Sequence, residues 1–275
     1  MGKIIGVWGS PNSGKTTLSI KLGKELSKKN SVIVLFPDMI APIIPTLKEN
    51  IDTNKSLGNV LSSVTITDDI VLKNCIEMEG FKNIAFLGYS QYENVFSYPQ
   101  YDVEKVKELF ETLKGLVDYV IVDTTSNFVV DLLTTITLEL GDKILRLNSS
   151  ELKNISYYDS YLPLLLDSKY NIDNHINILN NVKDDDPIEE LIDILNVKSI
   201  IKYSEEIRNQ SLCSNLMQSL SCKEEVKLTN SLKDILELVK ETTDFTEVKE
   251  KKKRGILGFL KSFKLDNNKN YREEY

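Results

Sequence analysis

Short apolar runs alternate with helically spaced apolar residues along most of the chain. The runs at 3–9, 31–36, 83–88, 119–123, 143–147, 176–180 and 197–202 are mostly rich in β-branched residues, the pattern of strands buried on both faces. Between them lie helical patterns with readable starts. Asp102 precedes Val-Glu-Lys-Val-Lys-Glu-Leu-Phe, Ser150 precedes Glu151, and Asp186 offers a cap ahead of Pro187 at a first helical position. Strand alternating with helix requires crossover connections. The predicted fold is therefore α/β: a doubly wound, mainly parallel sheet with ligands at the carboxyl ends of its strands. After about residue 205 the pattern is helical only. The expected partition is a main domain over 1–245, a basic amphipathic helix over 246–265 and a disordered polar tail over 266–275.

The first predicted strand runs into Gly9-Ser-Pro-Asn-Ser-Gly-Lys-Thr-Thr17, which fits G-x-x-x-x-G-K-[ST]. A helical pattern with Leu18, Ile20, Leu22 and Leu26 follows, the context that makes this motif specific for phosphate. In such a loop, backbone N–H groups and the helix dipole cradle an anion. Gly9, Asn12, Ser13, Gly14, Lys15, Thr16 and Thr17 are accordingly expected to bind nucleotide, with Lys15 on the β- and γ-phosphates and Thr16 on Mg²⁺. The strand at 119–123 ends in Asp123, which supplies a second oxygen ligand for the metal. ATP and Mg²⁺ are the expected cofactors.

The phosphate loop, Val32-Ile-Val-Leu-Phe-Pro-Asp38, Asp118-Tyr-Val-Ile-Val-Asp123 and Ile178-Leu-Asn180 together resemble the ParA/MinD group of ATPases, which includes the TadZ/CpaE proteins of pilus assembly. The likeness covers roughly residues 1–210. It implies a doubly wound fold with a helical C-terminal end, an ATP-dependent homodimer, and a role in positioning or assembling a membrane-associated machine of pilus, secretion or partition type. It places Asp38 in switch I near the metal and the attacking water, beside Lys15 as a catalytic residue, and sets Asn180 against the adenine base. Ile201-Lys-Tyr-Ser-Glu-Glu-Ile resembles the family's I-P-Y-D-E-E-I, with Lys202 for Pro and Ser204 for Asp.

The largest departure is at Ser10. The family's loop begins with a lysine that crosses the dimer to the partner's phosphates, and aligning on Gly14-Lys15-Thr16 puts Ser10 in its place. A serine hydroxyl is short and uncharged, so that stabilisation of the transferring phosphate is absent. Pro11 also removes one backbone N–H. Retained ATP binding with slow or partner-stimulated hydrolysis is the expectation. Lys21 and Lys24 are the alternative cations in the following helix. A non-hydrolysing scaffold of the same fold remains open, as does a small-molecule or nucleotide kinase, although Arg146, Arg208, Arg254 and Arg272 form no lid-like cluster in the sequence.

Charge adds a second site. The chain carries −7, which argues against a protein that coats nucleic acid, yet residues 249–264 hold seven Lys/Arg and one Glu, a local +6, so the rest carries −13. On a helix, Ile256, Leu257, Phe259, Leu260 and Phe263 share one face beside Lys252, Lys253 and Lys261, the pattern of an interfacial amphipathic helix. It resembles the membrane-targeting helix of MinD. One such helix binds an anionic membrane weakly, and two joined in a dimer bind far better. Docking of the stripe on the parent domain or on an unidentified protein partner is the competing account, and nonspecific DNA binding is possible but disfavoured. No apolar run reaches the length of a spanning helix and no signal peptide is evident, so the expected location is cytoplasmic, peripheral at the inner face of the cell membrane. Three cysteines without a C-x-x-C pair suggest neither disulfides nor zinc.

His175 has no sequence partner for catalysis and is expected to be structural, Trp8 is expected in the core, and Tyr89, Tyr92, Phe96, Tyr98 and Tyr101 are expected to pack a long loop against the domain, a partner surface being the alternative.

Overall fold

The computed structural model describes residues 1–47 and 52–240. The basic stretch at 246–265 and the tail at 266–275 lie outside the described residues. Eight strands form one sheet: β1 (Lys3–Gly9), β2 (Val32–Phe36), β3 (Ile76–Met78), β4 (Phe81–Gly88), β5 (Tyr119–Asp123), β6 (Lys143–Asn148), β7 (His175–Val182) and β8 (Ser199–Lys202). Their order is β3-β4-β2-β5-β1-β6-β7-β8, and all pairs are parallel except the antiparallel β3–β4. The strand at 76–78 was not expected. Three residues leading into a turn at Gly80 (φ 85°) are too few to show a period.

The helices are α1 (Lys15–Leu26), the short α2 (Ile44–Leu47), α3 (Leu57–Leu61) and α4 (Asp68–Asn74), then α5 (Val103–Leu116), α6 (Leu132–Leu140), α7 (Leu152–Tyr161), α8 (Ile188–Leu195), α9 (Glu205–Leu212) and α10 (Cys222–Lys240). Alternation along the strands sends Val32, Val34 and Phe36 to the face packed by α1 and α10, and Ile33 and Leu35 to the face packed by α5. In α5 the apolar Val106, Leu109, Phe110 and Leu113 fall on one stripe and are fully buried, each contributing about 1.5–3 kcal/mol. Asp102 caps it by accepting from the Lys105 N–H at 2.9 Å. Elsewhere the caps shift by one residue. α7 starts after Glu151 and not Ser150, and Pro187 is itself the residue before α8, while the Asp186 carboxylate accepts from the Lys183 N–H at 2.8 Å.

Trp8 is buried, edge-on to Phe128 and Tyr158. The tyrosine-rich loop after β4 divides. Tyr89 is buried and Tyr98 and Tyr101 pack on the core, Tyr98 so closely over Gly58 that a Cβ there would collide with its ring. Tyr92 and Phe96, against expectation, are 87% and 92% exposed. The core beneath the loop is already filled by the other three rings. No helix among the described residues is long and apolar enough to cross a membrane.

Candidate nucleotide site

β1 sits in the middle of the sheet, between β5 and β6. The chain builds one half of the sheet on the β5 side and the other on the β6 side, so the crevice at the carboxyl end of β1 is the switch point at which such sheets bind ligands. There Gly9 leads into the loop 10–14. Asn12 (φ 62°) and Gly14 (φ 89°) are left-handed, a conformation that turns successive N–H groups toward one centre. Gly14 is required twice over, since a Cβ there would also lie 2.4 Å from Asn180 Nδ2. α1 begins at Lys15 with no acidic residue in its first turn, leaving its free N–H groups open to an anion.

Lys15 Nζ donates to the carbonyls of Gly9 (3.1 Å) and Ser10 (2.9 Å) and to Ser126 Oγ (2.8 Å). Burial lowers its pKa, and the charges of Asp123 and Asp38 oppose that shift. The Thr16 hydroxyl donates to Asp123 Oδ2 at 2.6 Å, and Ser19 Oγ lies 3.4 Å from Oδ1. Asp123 is pushed up to about 6 by burial, against the two hydroxyls and the Lys15 charge. A hydroxyl and a buried carboxylate facing a phosphate loop are hard oxygen donors, and desolvation of the carboxylate makes a cation welcome there. Among the described residues no group of three or more His, Cys, Asp or Glu could hold a metal unaided. Thr16 and Asp123 offer the one or two protein oxygens that Mg²⁺ takes before it completes its shell with phosphate and water. Asp38, at the end of β2, is near enough to be felt electrostatically at both Lys15 and Asp123, and its Oδ1 accepts from the N–H groups of Ile40 and Ala41 at 2.9 and 3.0 Å.

From this loop a cleft of about 680 Å³ runs past Ser149 and Glu151 to Asn181, Tyr203 and Arg208. Comparison with family models and with curated proteins gives no match. Solved structures do match in shape. The cell division ATPase MinD of Pyrococcus furiosus superposes with a TM-score of 0.69 at 20% identity, covering 86% of this chain and 100% of that one. The septum site-determining protein MinD of Pyrococcus horikoshii OT3, complexed with Mg-ADP, gives 0.66 at 21%, covering 88% and 100%. A ParA family ATPase of Chlorobium tepidum TLS gives 0.71 at 15%, covering 86% and 98%. The chain has the MinD/ParA fold.

Against that MinD/ParA fold the departures acquire a physical account. Ser10 is buried, and its hydroxyl donates to the Asn154 Oδ1 of α7, whose Nδ2 donates in turn to Ser149 Oγ. The position where the resemblance expects an outward lysine is an inward tether. Lys21 and Lys24 do not replace it within the chain. Lys21 is buried, and burial first with the Lys24 charge second lowers its pKa to about 8; it donates to Gln210 Oε1 (2.5 Å) and the Leu216 carbonyl (2.6 Å), and Lys24 reaches the Gln218 carbonyl at 3.0 Å. Asn180 is buried with Nδ2 on the Ser13 carbonyl at 2.8 Å, so it braces the phosphate loop from behind, while its exposed neighbour Asn181 lines the cleft. Ser204, standing where the family pattern has Asp, still caps α9 by accepting from the Ile207 N–H. Arg208 lines the cleft, whereas Arg146 is largely buried on β6 beside Tyr158 and His175.

Sequence reasoning missed Ser126, Asn154 and Ser19. Ser126 closes the hydroxyl run Thr124-Thr125-Ser126 directly after Asp123, a signal that was open to reading; Asn154 on an ordinary helix offers none.

Proposed function

We propose that the chain is a nucleotide-dependent switch of MinD/ParA type that binds Mg-ATP in the cleft at the end of β1. The observation that carries this is the pairing of Thr16 with Asp123 at 2.6 Å beside a left-handed phosphate loop, in the MinD/ParA fold. The complex of the Pyrococcus horikoshii MinD with Mg-ADP supports the choice of ligand. In this proposal Lys15 and the loop amides of residues 12–17 hold the phosphates, Thr16, Asp123 and Asp38 serve the metal and its water, and Asn180 steadies the loop through the Ser13 carbonyl. Hydrolysis is slow or awaits a partner, because Ser10 is tied to Asn154 and brings no charge to the phosphates.

ATP brings two copies together through the nucleotide face, and the dimer positions or assembles a membrane-associated machine from the inner face of the membrane. The paired basic segments with Ile256, Leu257, Phe259, Leu260 and Phe263 are the anchor. Light scattering after size exclusion in ADP, ATP and a non-hydrolysable analogue, repeated with anionic liposomes, tests the whole: an ATP-specific dimer that binds lipid is expected, and loss of lipid binding on deletion of residues 249–275. Monomers in every nucleotide would end the dimer proposal. Rapid turnover without partner, membrane or DNA would end the proposal of slow hydrolysis. The burial of Ser10 also favours a second account, a scaffold of this fold that binds ATP and never hydrolyses it; single-turnover measurements separate the two.

A further inference from the structure

An ammonium group has three protons, and all three of those on Lys15 are spent inside the chain. Two go to the carbonyls of Gly9 and Ser10, which belong to the phosphate loop itself, and the third goes to Ser126 Oγ, from the loop that follows β5. A phosphate oxygen can be served by Lys15 only if one of these acceptors gives way. The neutral hydroxyl is the one to go, because the two carbonyls travel with the loop and a charged phosphate oxygen outbids an alcohol.

Ser126 is held on its other side by α7. The Tyr157 hydroxyl donates to the Ser126 carbonyl, and Tyr157 stacks on Tyr161 and packs against Trp8. Two residues further on, Phe128 is buried in the same aromatic cluster, edge-on to Trp8, while Val129 and Val130 stand 62% and 77% exposed. The loop is thus fastened at Lys15, at Tyr157, at Phe128 and, through Thr124 and Thr125, at the Val7 carbonyl and the Thr134 hydroxyl, and of these only the Lys15 contact competes with a ligand.

Resting on the nucleotide reading above, we propose that Ser126 is a positioning residue that competes with nucleotide phosphate for Lys15, and that its release is passed through Tyr157 to α7. The site then reports its occupancy to the face of the molecule carrying Val129, Val130 and α7. No bond is made or broken beyond the exchange of one hydrogen-bond acceptor for another.

Trp8 is the sole tryptophan, and it touches Phe128, Tyr157 and Tyr158, so its emission reads this cluster directly. The experiment uses the full chain as wild type, Ser126→Ala, Ser126→Thr and Tyr157→Phe, with Mg-ATP affinity by calorimetry and Trp8 emission with and without Mg-ATP. Ser126→Ala is expected to bind Mg-ATP about three- to tenfold more tightly, the worth of one competing hydrogen bond, and to show the nucleotide-type emission before nucleotide is added. Ser126→Thr keeps the hydroxyl and is expected to behave as wild type. Tyr157→Phe is expected to bind normally with a reduced emission change. Weaker or unchanged binding by Ser126→Ala, with a wild-type emission response, overturns the competition while leaving nucleotide binding intact. A wild type that binds no Mg-ATP overturns the nucleotide reading itself, and the competition with it.

Discussion

The two ends of the phosphate loop are built to opposite purposes. At its C-terminal end, Gly14, Lys15 and Thr16 face the cleft, with Asn180 on the Ser13 carbonyl, Ser126 on the Lys15 ammonium and Asp123 on the Thr16 hydroxyl. At its N-terminal end, Ser10 is buried and tied to Asn154, which is tied in turn to Ser149. One end is prepared for a ligand, and the other is sewn to α7. A loop can therefore keep its anion cradle while giving up the residue that reaches outward, because cradle and reach are carried by different residues with separate supports.

Removing the cradle's charge should produce the largest effect. Lys15→Ala is expected to lower Mg-ATP affinity on the order of 100-fold by calorimetry, with the fold intact by circular dichroism, since charge-assisted contacts to phosphate disappear. Restoring the family lysine at the other end should fail. Ser10→Lys pushes a long cation into a fully buried position beside Asn154, and is expected to cost about 2–3 kcal/mol in urea unfolding without raising ATP turnover. Turnover gained at unchanged stability would show that the tether is dispensable. Cutting the tether alone is milder: Asn154→Ala leaves the Ser10 and Ser149 hydroxyls without their partner and is expected to cost about 1–2 kcal/mol, with ATP affinity changed less than in Lys15→Ala.

The smallest effect, taken between pH 7 and 6, concerns acid. His175 lies on β7, half-buried near Arg146, with both ring nitrogens shielded and unpaired among the described residues. Burial first, and the Arg146 charge second, lower its pKa from 6.5 to about 3. The unfolded chain then binds the proton more readily, so stability contributed by the neutral ring is lost as pH falls below 6.5. Between pH 7 and 6 the loss is about 0.7 kcal/mol, growing toward pH 3, and His175→Phe is expected to flatten that slope in thermal unfolding.

The strands were legible because each carries its own signature. β1 and β5 were read to the residue, since a run of apolar residues ending in Gly9 or in Asp123 has a visible edge. The cradle was legible for the same reason, being one contiguous motif. Its supports were not. Ser126 meets Lys15 across 111 residues, with only the hydroxyl run after Asp123 to hint at it, and Asn154 meets Ser10 across 144 with no trace in spacing or composition. Asn180 shows the intermediate case: the resemblance singled it out for contact with the adenine base, while the contact it makes with the phosphate loop, to the Ser13 carbonyl, required the structure.

The two margins of the sheet have a consequence for assembly. β3 is three residues long and joined to β4 with a register shift at Glu77/Met78; β8 is four residues long, is joined to β7 with a shift between Leu179 and Val182, and has α10 against it. Short, irregular margins are poor templates for another chain's backbone. Growth by strand addition, the route to sheet-continued fibres, is thereby disfavoured at both margins.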